Sequence, residues 1–581
     1  MEVRDSRRLT GPNILWRRPG AVLDVRVDDG EDAGRAVGEW RRQVRRVLDG
    51  VGWQDEGLAD RSFHGGVSLA LSAPIDALYA ATEVNEWAWE AAAAALRGKP
   101  EPDFEEAVDR LRVLIAEESS PAVLALQRAA AEHRVAFLWD DDAVSVGMGT
   151  GSRTWPADAI PDPGAVDWDA VHDVPVALVT GTNGKTTTVR LLKAMTDAAG
   201  RTPGISSTDG CWVVGEEIGE GDYSGPGGAR LVLRDRRVEV AVLETARGGM
   251  LRRGLALERA DVAIITNVAE DHLGEWGIHD LGELTATKFI VAQGTRHLVL
   301  NADDPRLRSY PDRAGVRRIW FSRRCEPAEI RANVATGGQT CVLQGDRLML
   351  HTAAGSEVVA ALDEVPMTLG GAAVHNVANA LGAVCAAHRL GLPLAAIREG
   401  LCSFDSSAEA NPGRLNRFDL GGVTAIVDFA HNPHGLQALL DMARALPAGR
   451  WCVLVGQAGD RDDEAIRELP RRIWKACPDR VVVKELGRHL RGRQPGEVPA
   501  LIVDELRRLG APEAAIDVAG SEIEAVRQAL EWSRPGDLLL LLSHEERASV
   551  LGLVRELRDR GWRPGQVLPA PPTGVGGASQ A

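Results

Sequence analysis

Val176-Ala177-Leu178-Val179, running straight into Thr180-Gly181-Thr182-Asn183-Gly184-Lys185-Thr186-Thr187, decides how this chain is read. Four apolar residues predict a buried strand, and the glycine-bearing turn after them opens into a helix from Thr186. A strand, a glycine turn and a helix in that order form a phosphate cradle. Gly181 and Gly184 let backbone N–H groups turn inward, and the helix N-terminus adds positive potential. Lys185 is placed to reach β- and γ-phosphates, and Thr186 offers a hydroxyl to Mg²⁺. Thr182, Asn183 and Thr187 complete the cradle, and ATP is the expected guest. The general pattern GxxxxGK[ST] asks for glycine where this chain has Val179, so the match is to the shorter form GTNGKT. In a turn that binds nothing, Lys185 would have no packing role.

Outward from this turn, short apolar runs alternate with amphipathic helices: Val240-Ala241-Val242-Leu243, then Val262-Ala263-Ile264-Ile265. Such alternation predicts a parallel sheet with crossover helices over residues 174–408. A second α/β pattern follows Pro412-Gly413, with strands at Thr424 to Val427, Trp451 to Val455, Val481 to Val483 and Leu538 to Leu542, predicting a Rossmann-like domain over 409–567. Residues 1–152 mix strand-like alternation (Ala21 to Val27), a basic helical run (Gly34 to Leu48) and an Ala-rich helix, and read as an α+β domain. The Pro- and Gly-rich stretch 153–173 reads as a linker, and 568–581 as a disordered tail. The fold class is α/β.

At 581 residues and 44% hydrophobic content the chain exceeds the size of one core. Its formal net charge of −16 argues against a nucleic-acid surface as its main business. Seven cysteines, Cys211, Cys325, Cys341, Cys385, Cys402, Cys452 and Cys477, show no CxxC spacing, and no charged-then-apolar leader opens the chain. A reducing, cytoplasmic setting is the expectation. Apolar runs are strand-length, so no membrane partner is expected. A homo-oligomer is compatible with this composition.

GTNGKTT after a buried strand resembles the Mur ligase superfamily, which includes peptidoglycan-precursor ligases, folylpolyglutamate synthase and cyanophycin synthetase. Further motifs agree with the resemblance. Leu243-Glu244-Thr245-Ala246-Arg247-Gly248-Gly249-Met250 ends a strand with a carboxylate, which the resemblance makes a Mg²⁺ ligand. In Thr266-Asn267-Val268-Ala269-Glu270-Asp271-His272-Leu273-Gly274, His272 matches the family histidine that holds a second Mg²⁺. A lone Glu or His is commonly a surface or structural group; both standing at carboxyl ends of strands point to a metal site. Lys288 falls where several Mur ligases carry a lysine that can be carbamoylated, though an exposed helix lysine explains the letter equally well. Leu300-Asn301-Ala302-Asp303-Asp304-Pro305 resembles the family's turn near the nucleotide, and Val374-His375-Asn376-Val377-Ala378-Asn379 its adenine-side helix, making Asn301, His375 and Asn379 nucleotide contacts. Asn is a poor helix-interior residue without an amide partner, so Asn376 and Asn379 favour a bound ligand. Pro412-Gly413-Arg414 and Asp428-Phe429-Ala430-His431-Asn432-Pro433 resemble the motifs of the family's C-terminal domain. The resemblance gives Arg414 the transferring phosphate and Asp428 the ribose, and puts His431 near the reacting groups.

ETARGGMLRRGLA, NVAEDHLGEWGI and LNADDP look most like the Mur-like part of cyanophycin synthetase. So do Arg8-Leu9-Thr10-Gly11-Pro12-Asn13 and Val144-Ser145-Val146-Gly147-Met148-Gly149 near the start. That family places an ATP-grasp domain after the second of these segments; here about two dozen residues separate Gly151 from Pro175. The resemblance thus implies one ATP site and a ligase joining the carboxylate of an amino acid or peptide to an amino-acid amine through an acyl phosphate. The alternatives are a folylpolyglutamate- or peptidoglycan-type ligase, or a non-catalytic nucleotide-binding partner of a separate ATP-grasp protein. No GxSxG elbow or paired Cys/His arrangement offers a protein nucleophile.

Overall fold

The computed structural model describes residues 1–27, 32–271, 273–324, 328–336 and 338–570. Of the expected tail, residues from 571 on lie outside the described residues, as does His272. The chain divides into two compact units, Met1–Ala361 with Val377–Ser403, and Leu362–Asn376 with Phe404–Ala581.

The first unit opens with an antiparallel sheet in the order β1-β2-β4-β3: β1 (Glu2–Leu9), β2 (Gly20–Arg26), β3 (Leu58–Phe63) and β4 (Gly66–Ser72). Alternate residues Ala21, Leu23 and Val25 of β2 and Val67, Leu69 and Leu71 of β4 share one face. They pack on α1 (Ala33–Val51) and α2 (Leu78–Leu96) through Trp40, Val44, Val84 and Ala88. The indole of Trp40 donates to Asn85, whose amide donates in turn to Leu69 O, so this buried polar pair is satisfied. Helices α3 (Phe104–Glu118) and α4 (Pro121–Glu132) lead to a small sheet of β5 (Phe137–Trp139), β6 (Ala143–Val146) and β7 (Arg153–Pro156). The stretch read as a linker is therefore built in: it begins as β7, and its prolines open short turns, one of which is closed by Trp168 donating to Pro163 O and stacking on His133 at 4.3 Å.

The central sheet has the order β11-β10-β9-β12-β8-β13-β14-β15-β16-β17-β18. Its strands are β8 (Val176–Thr180), β9 (Pro203–Ser207), β10 (Gly210–Val213), β11 (Glu216–Gly219), β12 (Val240–Glu244), β13 (Val262–Ile265), β14 (His297–Asn301), β15 (Arg317–Ser322), β16 (Thr340–Gln344), β17 (Arg347–Thr352) and β18 (Gly355–Ala361). From β9 to β16 neighbouring strands are parallel, and antiparallel strands flank them. β8 lies inside the parallel region with every residue buried, as a strand covered on both faces requires. The helices of this region are α5 (Lys185–Ala198), α6 (Pro226–Arg234), α7 (Arg247–Arg253), α8 (Leu281–Lys288), α9 (Pro305–Ser309), α10 (Ala328–Ala335), α11 (Val374–Arg389) and α12 (Leu394–Ser403). The carboxyl ends of β8, β12, β13 and β14 are neighbours, which is where open α/β sheets hold ligands.

The second unit is a six-stranded sheet, order β19-β20-β24-β21-β22-β23. It comprises β19 (Asn416–Asp419), β20 (Thr424–Asp428), β21 (Trp451–Val455), β22 (Arg480–Lys484), β23 (Ile516–Ala519) and β24 (Leu538–Leu542). All but β19 run parallel. The five leucines of β24 are buried: Leu538, Leu540 and Leu542 join one core and Leu539 and Leu541 the other. Helices α13 (Pro433–Ala445), α14 (Asp463–Lys475), α15 (Glu497–Arg508), α16 (Glu522–Trp532) and α17 (Arg547–Asp559) complete it.

Candidate functional site

The turn after β8 is shaped by contacts that leave no room for side chains. Gly181 has φ +144°, and a Cβ there would lie 1.9 Å from Thr266 Oγ1. Gly184 has φ +85°, and a Cβ would lie 2.3 Å from the amide oxygen of Asn379. Both positions demand glycine. The strand end after β13 grips the turn: Thr182 N donates to Asn267 O (2.9 Å), Asn183 N to Asn267 Oδ1 (3.0 Å) and Thr266 Oγ1 to Asn183 O (2.6 Å). Thr182 Oγ1 donates to Ala269 O and accepts from Ala269 N. Helix α5 starts with Gly184 as its N-cap, which has no side chain to cap the first turn, and the helix N-terminus opens onto the turn.

Two groups assigned to Mg²⁺ come together here. Thr186 Oγ1 donates to Glu244 Oε2 at 2.9 Å and lies 3.3 Å from Thr208 Oγ1. Glu244, at the end of β12, is 1% exposed, which overturns the solvated-surface reading of that carboxylate. A hydroxyl and a carboxylate oxygen are the hard donors that Mg²⁺ prefers, and it takes the rest of its shell from phosphates and water. The donor set therefore fits the ion. Among the described residues no group of three or more His, Cys, Asp or Glu converges on one point. Lys185 folds back to donate to Thr182 O at 3.0 Å. Lys288, in the last turn of α8, is not the exposed helix lysine its letter allows: it is buried and donates to Gly181 O at 2.9 Å. Burial first, then the charge of Lys185, holds its ammonium well below the ordinary lysine range, against the pull of Asp271 and Glu244.

Asn301 has a local task. Its amide donates to Thr266 O (3.1 Å) and accepts from Asp303 N (2.9 Å), while Asp304 accepts from Val268 N (2.7 Å). The LNADDP turn thus holds the strand end that holds the glycine turn after β8. Asn379 packs over Gly184, beside the cradle. Asn376, read from sequence as favouring a ligand, donates to Met367 O at 2.9 Å, a partner within the protein. Thr208 and Asn267 escaped the sequence reading. The polar run Ser206-Ser207-Thr208-Asp209 at the carboxyl end of β9 was the available signal for the first.

In the second unit the guanidinium of Arg414 lies over the Phe429 ring, 4.3 Å from its centroid, and its buried Nε has no hydrogen-bond partner among the described residues. Asp428 accepts from Leu415 N and Ala430 N, both at 2.8 Å. Burial raises its carboxyl above the ordinary range, with Arg414 opposing. His431 Nδ1 donates to Phe429 O (3.1 Å), and burial pushes His375 down to about 4, with His434 adding to the effect. Phe429 also carries the ring of His544 on its edge, 5.4 Å between centroids.

Residues 179–387 match the Mur ligase middle domain and 413–544 the Mur ligase glutamate ligase domain. UDP-N-acetylmuramoyl-L-alanyl-D-glutamate–2,6-diaminopimelate ligase of Corynebacterium efficiens is 31% identical over 413 residues, 68% of this chain and 73% of its own length. The chain belongs to the Mur ligase family. Lys185, Glu244, Lys288, Asn301, His375 and Asn379 lie inside the middle-domain match, and Arg414, Asp428 and His431 inside the glutamate ligase match. Cyanophycin synthetase of Synechocystis is 39% identical over 361 residues, 62% of this chain but 41% of that protein. The chain thus spans about four tenths of the length of the cyanophycin synthetases it matches. The bifunctional folylpolyglutamate synthase/dihydrofolate synthase of Yersinia pestis, solved with AMPPNP and a Mn ion, covers 66% of this chain and 88% of its own at 20% identity, with a TM-score of 0.47. Among the described residues no helix is long and apolar enough to cross a membrane.

Proposed function

We propose that this Mur ligase family member is an ATP- and Mg²⁺-dependent carboxylate–amine ligase with a single ATP site. The observation that carries the reading is the contact of Thr186 with buried Glu244, at a phosphate turn that also holds Lys185 and Lys288. Bound Mg²⁺ would supply charge neutralisation beside the γ-phosphate, on Thr186 and Glu244. The N–H groups of the turn and of α5 orient the phosphate chain, and Lys185 neutralises it. A substrate carboxylate oxygen then attacks the γ-phosphorus, the bond to the β-phosphate oxygen breaks, and ADP leaves. An amine nitrogen attacks the resulting acyl phosphate, its proton is lost, and the carbon–oxygen bond breaks to release phosphate. Catalysis consists of positioning and charge neutralisation. Arg414 and Asp428 are assigned the transferring phosphate and the ribose, as the family resemblance implies, and His431 the neighbourhood of the reacting groups.

The substrates proposed are an amino-acid or peptide carboxylate and an amino-acid amine, and the free cysteines Cys211, Cys341, Cys385 and Cys452 support a cytosolic setting. The longer coverage of the diaminopimelate ligase favours one competing reading, a ligase acting on a UDP-linked precursor. Incubation with ATP, Mg²⁺ and a panel of amino acids, aspartyl peptides and UDP-linked precursors separates the two by mass spectrometry. Substrate-stimulated ADP release with a product heavier by one amide condensation is expected. Lys185→Ala should lower the rate at least a hundredfold. Absence of any stimulated ADP release across the panel would sink the ligase reading.

A further inference from the structure

The first unit holds a second concentration of positive charge, away from the phosphate turn, where β1, α6, α7 and the β5–β6 turn meet. Arg230 of α6 is 8% exposed. Its Nη2 donates to Thr10 Oγ1 at 2.9 Å, and its buried Nε has no hydrogen-bond partner among the described residues. Thr10 itself donates to Arg253 O, at the end of α7. Among the described residues the Arg253 side chain donates only to main-chain carbonyls, Arg8 O at 3.4 Å and Arg252 O at 3.5 Å. The Arg230 guanidinium thus reaches Thr10, which reaches the main chain of Arg253, and among the described residues both guanidiniums meet neutral acceptors alone. The nearby carboxylates are already committed. Asp140 accepts from Arg234 at 2.6 Å and from the N–H groups of Asp142 and Ala143. Asp141 accepts both amino groups of Arg8 and the hydroxyl of Tyr79. Four guanidiniums, of Arg8, Arg230, Arg234 and Arg253, thus face two carboxylates, in a chain whose net charge is −16.

A buried guanidinium ordinarily stands beside a carboxylate, because an uncompensated buried charge is strongly destabilising. Burial pulls the Arg230 guanidinium down to about 10, and Arg253 is lowered by burial and by Arg8 and Arg252. The fold keeps this strain while Arg8 lies over Tyr79, 3.5 Å from the ring centroid, and half of Tyr79 faces solvent. We propose that Arg230 and Arg253, flanked by Arg8 on its partner Asp141, form an oxyanion-binding site at the junction of the N-terminal sheet with α6 and α7, taking a carboxylate or a phosphate group. Arginine suits this role, since its planar fork matches either oxyanion with two parallel hydrogen bonds. α7 begins three residues after Glu244, so an acceptor held there by a second carboxylate would be fixed relative to the site of chemistry; that consequence rests on the ligase reading, whereas the oxyanion site does not.

The test is calorimetric titration of the full chain carrying Lys185→Ala, which removes the lysine of the phosphate turn, in the absence of nucleotide. Inorganic phosphate and aspartyl-aspartate are titrated separately, and the one that binds identifies the source of the oxyanion. Adding Arg230→Met should weaken that binding at least tenfold, with partial recovery in Arg230→Lys. Should Arg230→Met lose its near-ultraviolet circular dichroism, Arg253→Gln, at a half-exposed position, reads the same site and should weaken binding at least threefold. Binding of neither probe, or binding unchanged within twofold in the folded variants, would overturn the proposal and leave Arg230 a structural tie to Thr10. Because no ATP is present, failure here leaves the ligase reading untouched.

Discussion

Gly184 shows how a single position carries both fold and site. Its φ of +85° costs an L side chain roughly 1–2 kcal/mol, and a Cβ would also meet Asn379. Gly184→Ala is expected to weaken ADP binding at least tenfold by calorimetry. Adding Asn379→Ala should recover part of the loss, since it relieves the contact but not the dihedral; full recovery would show that the dihedral does not matter. This glycine was legible in the sequence because a strand, a GTNGKTT turn and a helix leave few alternatives for the backbone. Glu244 was legible by its place at a strand end. The state of Lys288 was not: its letter is the same on a surface or in a core. Only the packing of α8 onto the turn, bringing Lys288 to Gly181 O, distinguishes the two. Asn376 misled for the same reason, its amide being satisfied by Met367 O nine residues away in the chain.

At the scale of elements, the second unit is tied by one buried ion pair that sequence reading passed over. Lys484 ends β22 and Glu522 opens α16; both side chains are fully buried and in direct contact. Lys484 also donates to Leu542 O at the end of β24, and Glu522 accepts from Ser543 Oγ (2.6 Å), His544 N (2.7 Å) and Glu546 N (3.0 Å). Three elements and the loop that carries His544 thus share one pair of charges. Breaking such a pair leaves an uncompensated buried charge, so Lys484→Met should cost about 3–5 kcal/mol in urea unfolding. Lys484→Met with Glu522→Gln should cost less than the single change, because the stranded carboxylate is gone; equal losses would mean the pair is not coupled. In sequence, Lys484 directly follows the strand read at Val481 to Val483, and its partner lies 38 residues on, too far apart for spacing to pair them. Strands such as Leu538–Leu542 and Trp451–Val455 were legible to the residue because runs buried on both faces are unbroken apolar stretches. The 153–173 stretch was not, since proline and glycine end short packed elements as readily as they loosen a linker.

For the whole molecule, the division into two units and the charges buried in each set how stability responds to pH. Two histidines of the second unit are pushed far below the ordinary value of 6.5: His544 to about 3, by burial and then Lys484, and His375 to about 4, by burial and then His434. Between those values and 6.5 the unfolded chain binds protons there that the folded chain does not. Stability therefore rises with pH across this window, and is lost as pH falls from 6.5 toward 3. Asp428 works the other way: burial raises its carboxyl, so the folded chain keeps a proton that the unfolded chain releases above 3.8, and its contribution falls as pH rises through that lower window. With two histidines against one aspartate, the second unit should lose stability on acidification from 6.5 to 4.5. Hydrogen exchange of the β24 amides over that range is the measurement. His544→Gln, which retains a donor toward Ala430 O, should flatten the slope; an unchanged slope would show that His544 takes up its proton in the folded protein as readily as in the unfolded chain.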